Sequence, residues 1–136
     1  MLRFVIGYVA TLVAFCILDF AWLGWIAKGL YQSRIGALLL PQPNWNAAML
    51  FYVLYAAGMQ IFCVAPALDA GSAWKAALCG ALFGFFCYMT YDLSNLATLK
   101  GWASDLAIVD ILWGMCVSAL ASSAGYAAVQ ALGRNS

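Results

Sequence analysis

Three aspartates could do chemistry in this chain, because each of them interrupts a long apolar stretch. Asp19 lies in the run DFAWLG, Asp92 in the run YMTYDLSNLATLKGW and Asp110 in the run VDILWG. The hydrocarbon core of a bilayer offers a carboxylate no water, so an ionisable residue within a spanning segment is a functional hypothesis by default. Carboxylates in such surroundings either share protons or hold a cation. The sequence therefore predicts proton or cation chemistry.

The composition indicates a membrane-embedded chain and excludes several other classes. Of the 136 residues, 67% are hydrophobic and 8% are charged, and there is no histidine. A net charge of +1 leaves no basic surface, so we exclude nucleic acid as a partner. The five cysteines lie in apolar runs without a C-x-x-C pair, and they are typical of small buried hydrophobic residues. We therefore expect no metal and no cofactor.

Four predominantly apolar runs are long enough to cross a bilayer at 1.5 Å of helix per residue. They cover about 4–26, 46–68, 73–97 and 105–132. The predicted N-caps of the last three helices are Asn44 or Asn46, Ser72 and Ser104. We predict an all-α integral membrane protein whose single transmembrane domain, 1–136, is a four-transmembrane-helix bundle with both termini on one side.

The segment between the first two runs predicts an additional short helix. Polar residues such as Lys28 and Arg34 alternate at helical spacing with apolar ones such as Tyr31 and Ile35, and Pro41 ends the pattern. An amphipathic helix of this kind is typical of a segment lying in the membrane interface. We call the face that carries it the loop side and the opposite face the terminal side.

Lysine and arginine residues leave the orientation of the chain in the membrane open. The terminal side carries Arg3, Lys75 and Arg134, and the loop side carries Lys28, Arg34 and Lys100. The side with more lysine and arginine usually faces the cytoplasm. Here each side carries three of them, so the rule does not choose an orientation.

Residue counts place the three aspartates at a similar depth. Asp19 lies about eight residues before the end of its run, Asp92 about five before the end of its run, and Asp110 about six after the start of its run. At 1.5 Å per residue, all three lie roughly 8–12 Å below the loop side. The sequence thus predicts one coupled group of carboxylates.

Two stripes of small residues predict that the third and fourth helices pack together. Gly80 and Gly84 recur at four-residue spacing toward Tyr88 and Asp92, and Asp110 begins a second stripe that continues at the same spacing. The stripes are packing devices first, and they would bring the carboxylates together. A glycine stripe is also typical of helix dimers. The alternative is therefore that the third helix packs against a second copy of the chain in a homodimer.

The predicted site is a polar, aromatic-walled pocket open to the loop side. Its candidate residues are Asp19, Trp22, Tyr55, Tyr88, Asp92, Asn95, Asp110 and Trp113. The three aspartates are also the candidates for a catalytic role. Asp110 lies in the second turn of its helix, where the helix N-terminus stabilises a carboxylate. Its alternative role is therefore a structural one. We interpret Trp25, Trp45 and Trp102 as anchors at the membrane interface.

The runs DFAWLG, TYDLSNLATLKGW and VDILWG resemble the bacterial family of small membrane proteins catalogued as domain of unknown function 2177. The resemblance covers nearly the whole chain. It implies a four-helix, multi-pass protein of the bacterial inner membrane, and it supports Asp19, Asp92, Asn95 and Asp110 through their positions in the motifs. It implies no substrate.

Three hypotheses about function follow from these residues. The leading one is the binding or proton-coupled transport of a small cationic or amphipathic solute, because carboxylates beside aromatic faces suit a cation. The second is a membrane enzyme, an isomerase, cyclase or lipid- or isoprenoid-modifying enzyme, with aspartates as general acid and base. The third is a structural subunit of a membrane complex. The expected partners are the lipid bilayer and a small-molecule or lipid ligand.

Overall fold

The described part of the chain folds into four long helices, one short α-helix and a 3-10 turn at Gly36–Leu38. The computed structural model describes residues 1–133, so Arg134, which entered the charge comparison, lies outside the described residues. The helices are α1 Leu2–Ile26, α2 Lys28–Ile35, α3 Trp45–Ala70, α4 Ala73–Thr98 and α5 Ser104–Leu132. The four long helices have the length and the apolar composition needed to cross a membrane. The predicted four-helix fold is confirmed.

Side-chain caps begin two of the long helices, as predicted, but not the last one. Asn44 accepts the backbone N–H of Ala47 at 3.2 Å, and Ser72 accepts that of Lys75 at 3.1 Å. The prediction that Ser104 caps α5 is wrong, because Ala103 occupies the N-cap position and Ser104 is already helical. Asp105 accepts a first-turn N–H instead, and its negative charge suits the positive end of the helix dipole.

Two helices contain a π-helical turn that the apolar pattern does not predict. In α3 the turn covers Gln60–Val64 and ends two residues before Pro66, through which the helix continues to Ala70. Proline has no N–H, and its ring pushes against the carbonyl four residues earlier, so a wider preceding turn relieves the contact. In α1 the turn covers Trp22–Ile26 at the loop side.

The stripes of small residues bring the backbones of α4 and α5 into contact. A Cβ atom added at Gly80 would lie 2.6 Å from the carbonyl oxygen of Ser118, and one added at Gly84 would overlap the carbonyl of Gly114. A similar approach joins α1 to α5, where Gly125 lies against the hydroxyl of Thr11. The helix α5 is therefore central, with α1 and α4 on either side of it.

The short helix α2 folds back over the loop-side ends of α1 and α5. Ala27 and Ile35 are buried, and Arg34 forms an ion pair with Asp105 at 2.7 Å. The helix exists as predicted, and its position in the membrane interface remains a prediction. At the opposite end of the bundle, Gly133 lies against Arg3, so the first and last described turns are neighbours.

Candidate binding cavity

A cavity of about 490 Å³ lies inside the loop-side half of the bundle. Such a volume falls within the range of small-molecule sites in proteins. Its walls are mostly apolar and aromatic, and its ionisable residues are two carboxylates, five tyrosines and a cysteine. They are Asp19, Asp110, Tyr31, Tyr52, Tyr55, Tyr88, Tyr91 and Cys87. All four long helices and α2 contribute side chains, so the cavity depends on the complete bundle.

The carboxylate of Asp19 lies where three helices meet. On α1, Gly7, Thr11, Phe15 and Asp19 are buried at four-residue spacing, which turns one helix face toward the bundle. Tyr52 of α3 donates its hydroxyl to Asp19 Oδ2 at 2.7 Å, and Trp113 of α5 donates Nε1–H to Oδ1 at 3.1 Å. Both oxygens of Asp19 therefore accept a hydrogen bond while the residue still faces the cavity.

A second chain of contacts leads from the same tryptophan to Asp110. Trp22 stacks on Trp113 with ring centroids 4.5 Å apart and an angle of 6° between the rings. Trp22 donates Nε1–H to the hydroxyl of Tyr31 at 3.2 Å, and Tyr31 donates its own proton to Asp110. Burial raises the pKa of Tyr31, and the Asp110 charge raises it further. The phenol therefore stays protonated and remains a donor.

Asp92 lies behind the cavity wall and has no donor of its own. The residue is completely buried, and among residues 1–133 neither carboxylate oxygen receives a hydrogen bond from an N–H or a hydroxyl. The group that faces it is the carboxyl of Asp110. Two carboxyl groups have only acceptors when both are ionised, so they can form a hydrogen bond only if one of them holds a proton.

No basic side chain balances these carboxylates within the part of the chain that the structure describes. The ion pair found there joins Arg34 to Asp105, whose side chains are 46% and 55% exposed, outside the cavity. Residues 1–133 also contain no group of three His, Cys, Asp or Glu side chains placed to hold a metal ion. The cavity therefore combines negative groups with apolar walls.

The structure brings most of the candidate residues together, but three of them lie outside the cavity lining. Asp19, Tyr55, Tyr88, Asp110 and Trp113 line it. Trp22 lies behind Trp113, Asp92 lies behind Asp110, and Asn95 is half-buried beside Tyr91. These three can act on a bound molecule only through the residues in front of them.

The cavity lining also includes residues that were not among the predicted site residues, and Tyr52, Trp102 and Tyr31 are three of them. Tyr52 lies three residues before Tyr55 on the same face of α3, and this spacing could have identified it. Trp102, interpreted as an anchor, packs edge-on against Tyr91 with ring centroids 5.6 Å apart. Tyr31 reaches the cavity because α2 folds back over the bundle, and the sequence pattern gives no signal for this fold-back.

A comparison with family models places the chain in a family. The model of a family described as predicted membrane protein (DUF2177) matches residues 4–127. The chain belongs to this family. The matched region contains Asp19, Asp92 and Asp110, in agreement with the resemblance of the three sequence runs. No curated protein and no solved structure matches the chain. The description of the family gives neither a ligand nor a reaction, so function has to be argued from the cavity.

Proposed function

We propose that this member of the family binds a small cationic or amphipathic solute within the bacterial inner membrane and transports it in exchange for protons. The observation that carries the proposal is the cavity itself, with Asp19 and Asp110 on an apolar wall and no basic residue among residues 1–133 paired with either. A buried carboxylate without a cation is costly, and a cationic ligand lowers that cost.

The walls of the cavity suit a cation as well as its carboxylates do. Tyr52 and Trp113, which hold Asp19 by hydrogen bonds, also line the cavity, as does Tyr55. The face of an aromatic ring attracts a cation, and the attraction grows when water is excluded. A positively charged head group beside Asp19 would therefore meet a carboxylate and several ring faces.

The pair formed by Asp92 and Asp110 supplies a proton that such a ligand could displace. Asp110 faces the cavity, whereas Asp92 lies behind the cavity wall next to Asp110. When a cation approaches Asp110, the proton shared by the pair becomes less favourable, because two positive charges then compete for the same carboxyl group. Binding of the ligand and release of the proton are coupled in this way.

The test is the binding of tetraphenylphosphonium, a lipophilic cation, to the purified full-length protein. Asp19→Asn keeps the volume of the side chain and removes its charge, and we expect the affinity to fall roughly thirtyfold or more, as for loss of one partner of a buried charge pair. Asp69→Asn is the matched control, since Asp69 is an exposed carboxylate outside the cavity at the terminal-side end of α3, and it should bind like the parent.

Parent-like binding by a folded Asp19→Asn variant would overturn the proposal. A native compound that co-purifies and is converted to a different product by the protein would instead support the enzymatic hypothesis. Mass spectrometry of extracts from the native membrane distinguishes a retained ligand from a converted one.

A further inference from the structure

We infer that the ligand enters the cavity sideways from the bilayer, through a gap between the loop-side halves of α3 and α4, and that it is a single hydrocarbon chain with an ammonium head. This inference rests on the proposed function, because it takes a cation at Asp19 as its starting point. We call the opening the lateral gap. Its rims are Ala48 and Phe51 on α3 and Cys87 and Tyr91 on α4.

The loop side of the cavity is covered. Tyr31 and Ile35 of α2, with Leu39 just after it, form this part of the lining. Two contacts hold α2 against α5, namely the hydrogen bond from Tyr31 to Asp110 and the ion pair of Arg34 with Asp105. A solute coming from the aqueous phase on this side would first have to displace α2.

The terminal side of the cavity is closed by the hydrophobic core. Phe15, Met59, Val117 and Ala121 are completely buried and pack against Tyr55 at the bottom of the cavity. The hydroxyl of Tyr55 shares a hydrogen bond of 2.7 Å with Ser118 of α5, which fixes the ring in place. Among the described residues, this buried core separates the cavity from the terminal side.

The two helices at the lateral gap separate toward the loop side. Near the middle of the bundle α3 contacts α4, with the rings of Tyr55 and Phe83 5.2 Å apart. Closer to the loop side α3 packs on α1 instead, where the ring of Phe51 lies 6.1 Å from that of Phe15. Phe51 and Tyr91 line the cavity, and their total exposed fractions are 44% and 56%. They mark a passage between the cavity and the surrounding lipid.

The chemistry along this passage identifies its occupant. The rim is apolar and aromatic, and the carboxylates lie deeper, so a molecule that fits both parts has a cationic head inside and an apolar tail directed outward. A tail in the lateral gap can continue into the bilayer without meeting water. The volume of about 490 Å³ suits a head group and part of one chain. A bulky two-chain lipid would not fit inside.

The test is photolabelling in phosphatidylcholine nanodiscs with a hexadecyltrimethylammonium probe that carries a diazirine on its chain. We expect labelled peptides from both rims of the lateral gap, and competition by hexadecyltrimethylammonium but not by tetramethylammonium. Ala48→Trp narrows the gap and should lower the labelling at least tenfold. Ala47→Trp is the matched control, because Ala47 is exposed on the outer surface of the same helix turn and should not change the labelling.

The opposite rim provides a second variant if Ala48→Trp does not fold, since Cys87→Trp narrows the same gap from α4. Labelling that persists in the folded narrowed variant, while Asp19→Asn still abolishes the binding of tetraphenylphosphonium, overturns lateral entry and leaves the proposed function standing. Equal competition by the short and the long ammonium ion overturns the requirement for a chain. Labelling and tetraphenylphosphonium binding that both survive Asp19→Asn overturn the proposed function itself.

Discussion

The three aspartates have different surroundings, although the sequence presents them as equivalent. Asp19 accepts two hydrogen bonds, from Tyr52 and Trp113, which satisfy an ionised carboxylate. Asp110 accepts one, from Tyr31, and faces Asp92, which accepts none within the described residues. A buried polar group without a partner is costly. Asp19 is therefore suited to hold positive charge, and the other two are suited to share a proton.

The variant Asp92→Asn tests the shared proton. An amide at this position donates to Asp110 without needing a proton, so the competition between proton and ligand is removed. In the parent, tetraphenylphosphonium affinity should rise with pH, because protons leave the pair as the pH rises. In Asp92→Asn the rise should be largely lost, with affinity at the upper end of the pH range within about threefold of the parent. Tyr31 of α2 and Tyr91 of α4 also face the pair and stay unchanged.

Binding titrations at a series of pH values measure this effect, with Asp69→Asn as the control for an exposed aspartate outside the cavity. The same pH dependence in the parent and in Asp92→Asn would show that Asp92 is a structural residue.

Part of the cavity could be predicted from residue spacing, and part could not. Asp19, Tyr55, Tyr88, Asp110 and Trp113 followed from helix faces and residue counts, because a regular helix fixes which side chains share a face. Spacing does not report which side chain stands in front of another. For that reason Asp92 and Trp22 were expected in the lining but lie one layer behind it.

At the scale of the helices, the contact between α4 and α5 depends on the absence of side chains. A Cβ atom at Gly84 would overlap the carbonyl of Gly114 and would lie 2.7 Å from the hydroxyl of Ser118. The carbonyl belongs to the backbone, so no change of rotamer relieves the overlap. The two helices would have to move apart, and the carboxylates of Asp92 and Asp110 would separate with them.

We therefore expect Gly84→Ala to lower the free energy of unfolding by about 1–3 kcal/mol, the usual cost of overpacking, and Gly84→Leu to lower it further. Gly29→Ala is the control, because nothing lies within 4 Å of a Cβ atom added there in α2. Thermal unfolding in detergent measures the stability of the Gly84 variants and of the control. A melting temperature of Gly84→Leu equal to that of the parent would contradict the packing of α4 against α5.

The long helices were predictable because apolar run length determines whether a segment spans a membrane. The local departures from regular helix were not. The π-helical turn at Gln60–Val64 results from Pro66 together with tertiary packing, and the start of α5 at Ser104 shifts the cap by one residue. The fold-back of α2 depends on Tyr31 and Arg34 finding partners more than 70 residues later in the chain.

For the whole molecule, we predict that the four long helices span the membrane and place both ends of the chain on the same side. The contact between Arg3 and Gly133 agrees with this arrangement. Reporter fusions at the N-terminus and at the C-terminus should therefore give the same signal, whichever orientation the chain adopts. Opposite signals from the two fusions would contradict the four-helix topology.

The π-helical turn in α3 also determines where this helix can change in length. Its backbone bonds join residues five apart, as between the N–H of Ala65 and the carbonyl of Gln60, so the turn holds one additional residue. Ile61 and Phe62 in this turn are 52% and 63% exposed and contribute little to the core. Loss of one of them would restore a regular turn and keep the following residues on their present faces. Loss of a residue elsewhere in α3 would rotate everything after it by about 100°. Within α3, a length change that preserves the bundle is therefore confined to this single turn.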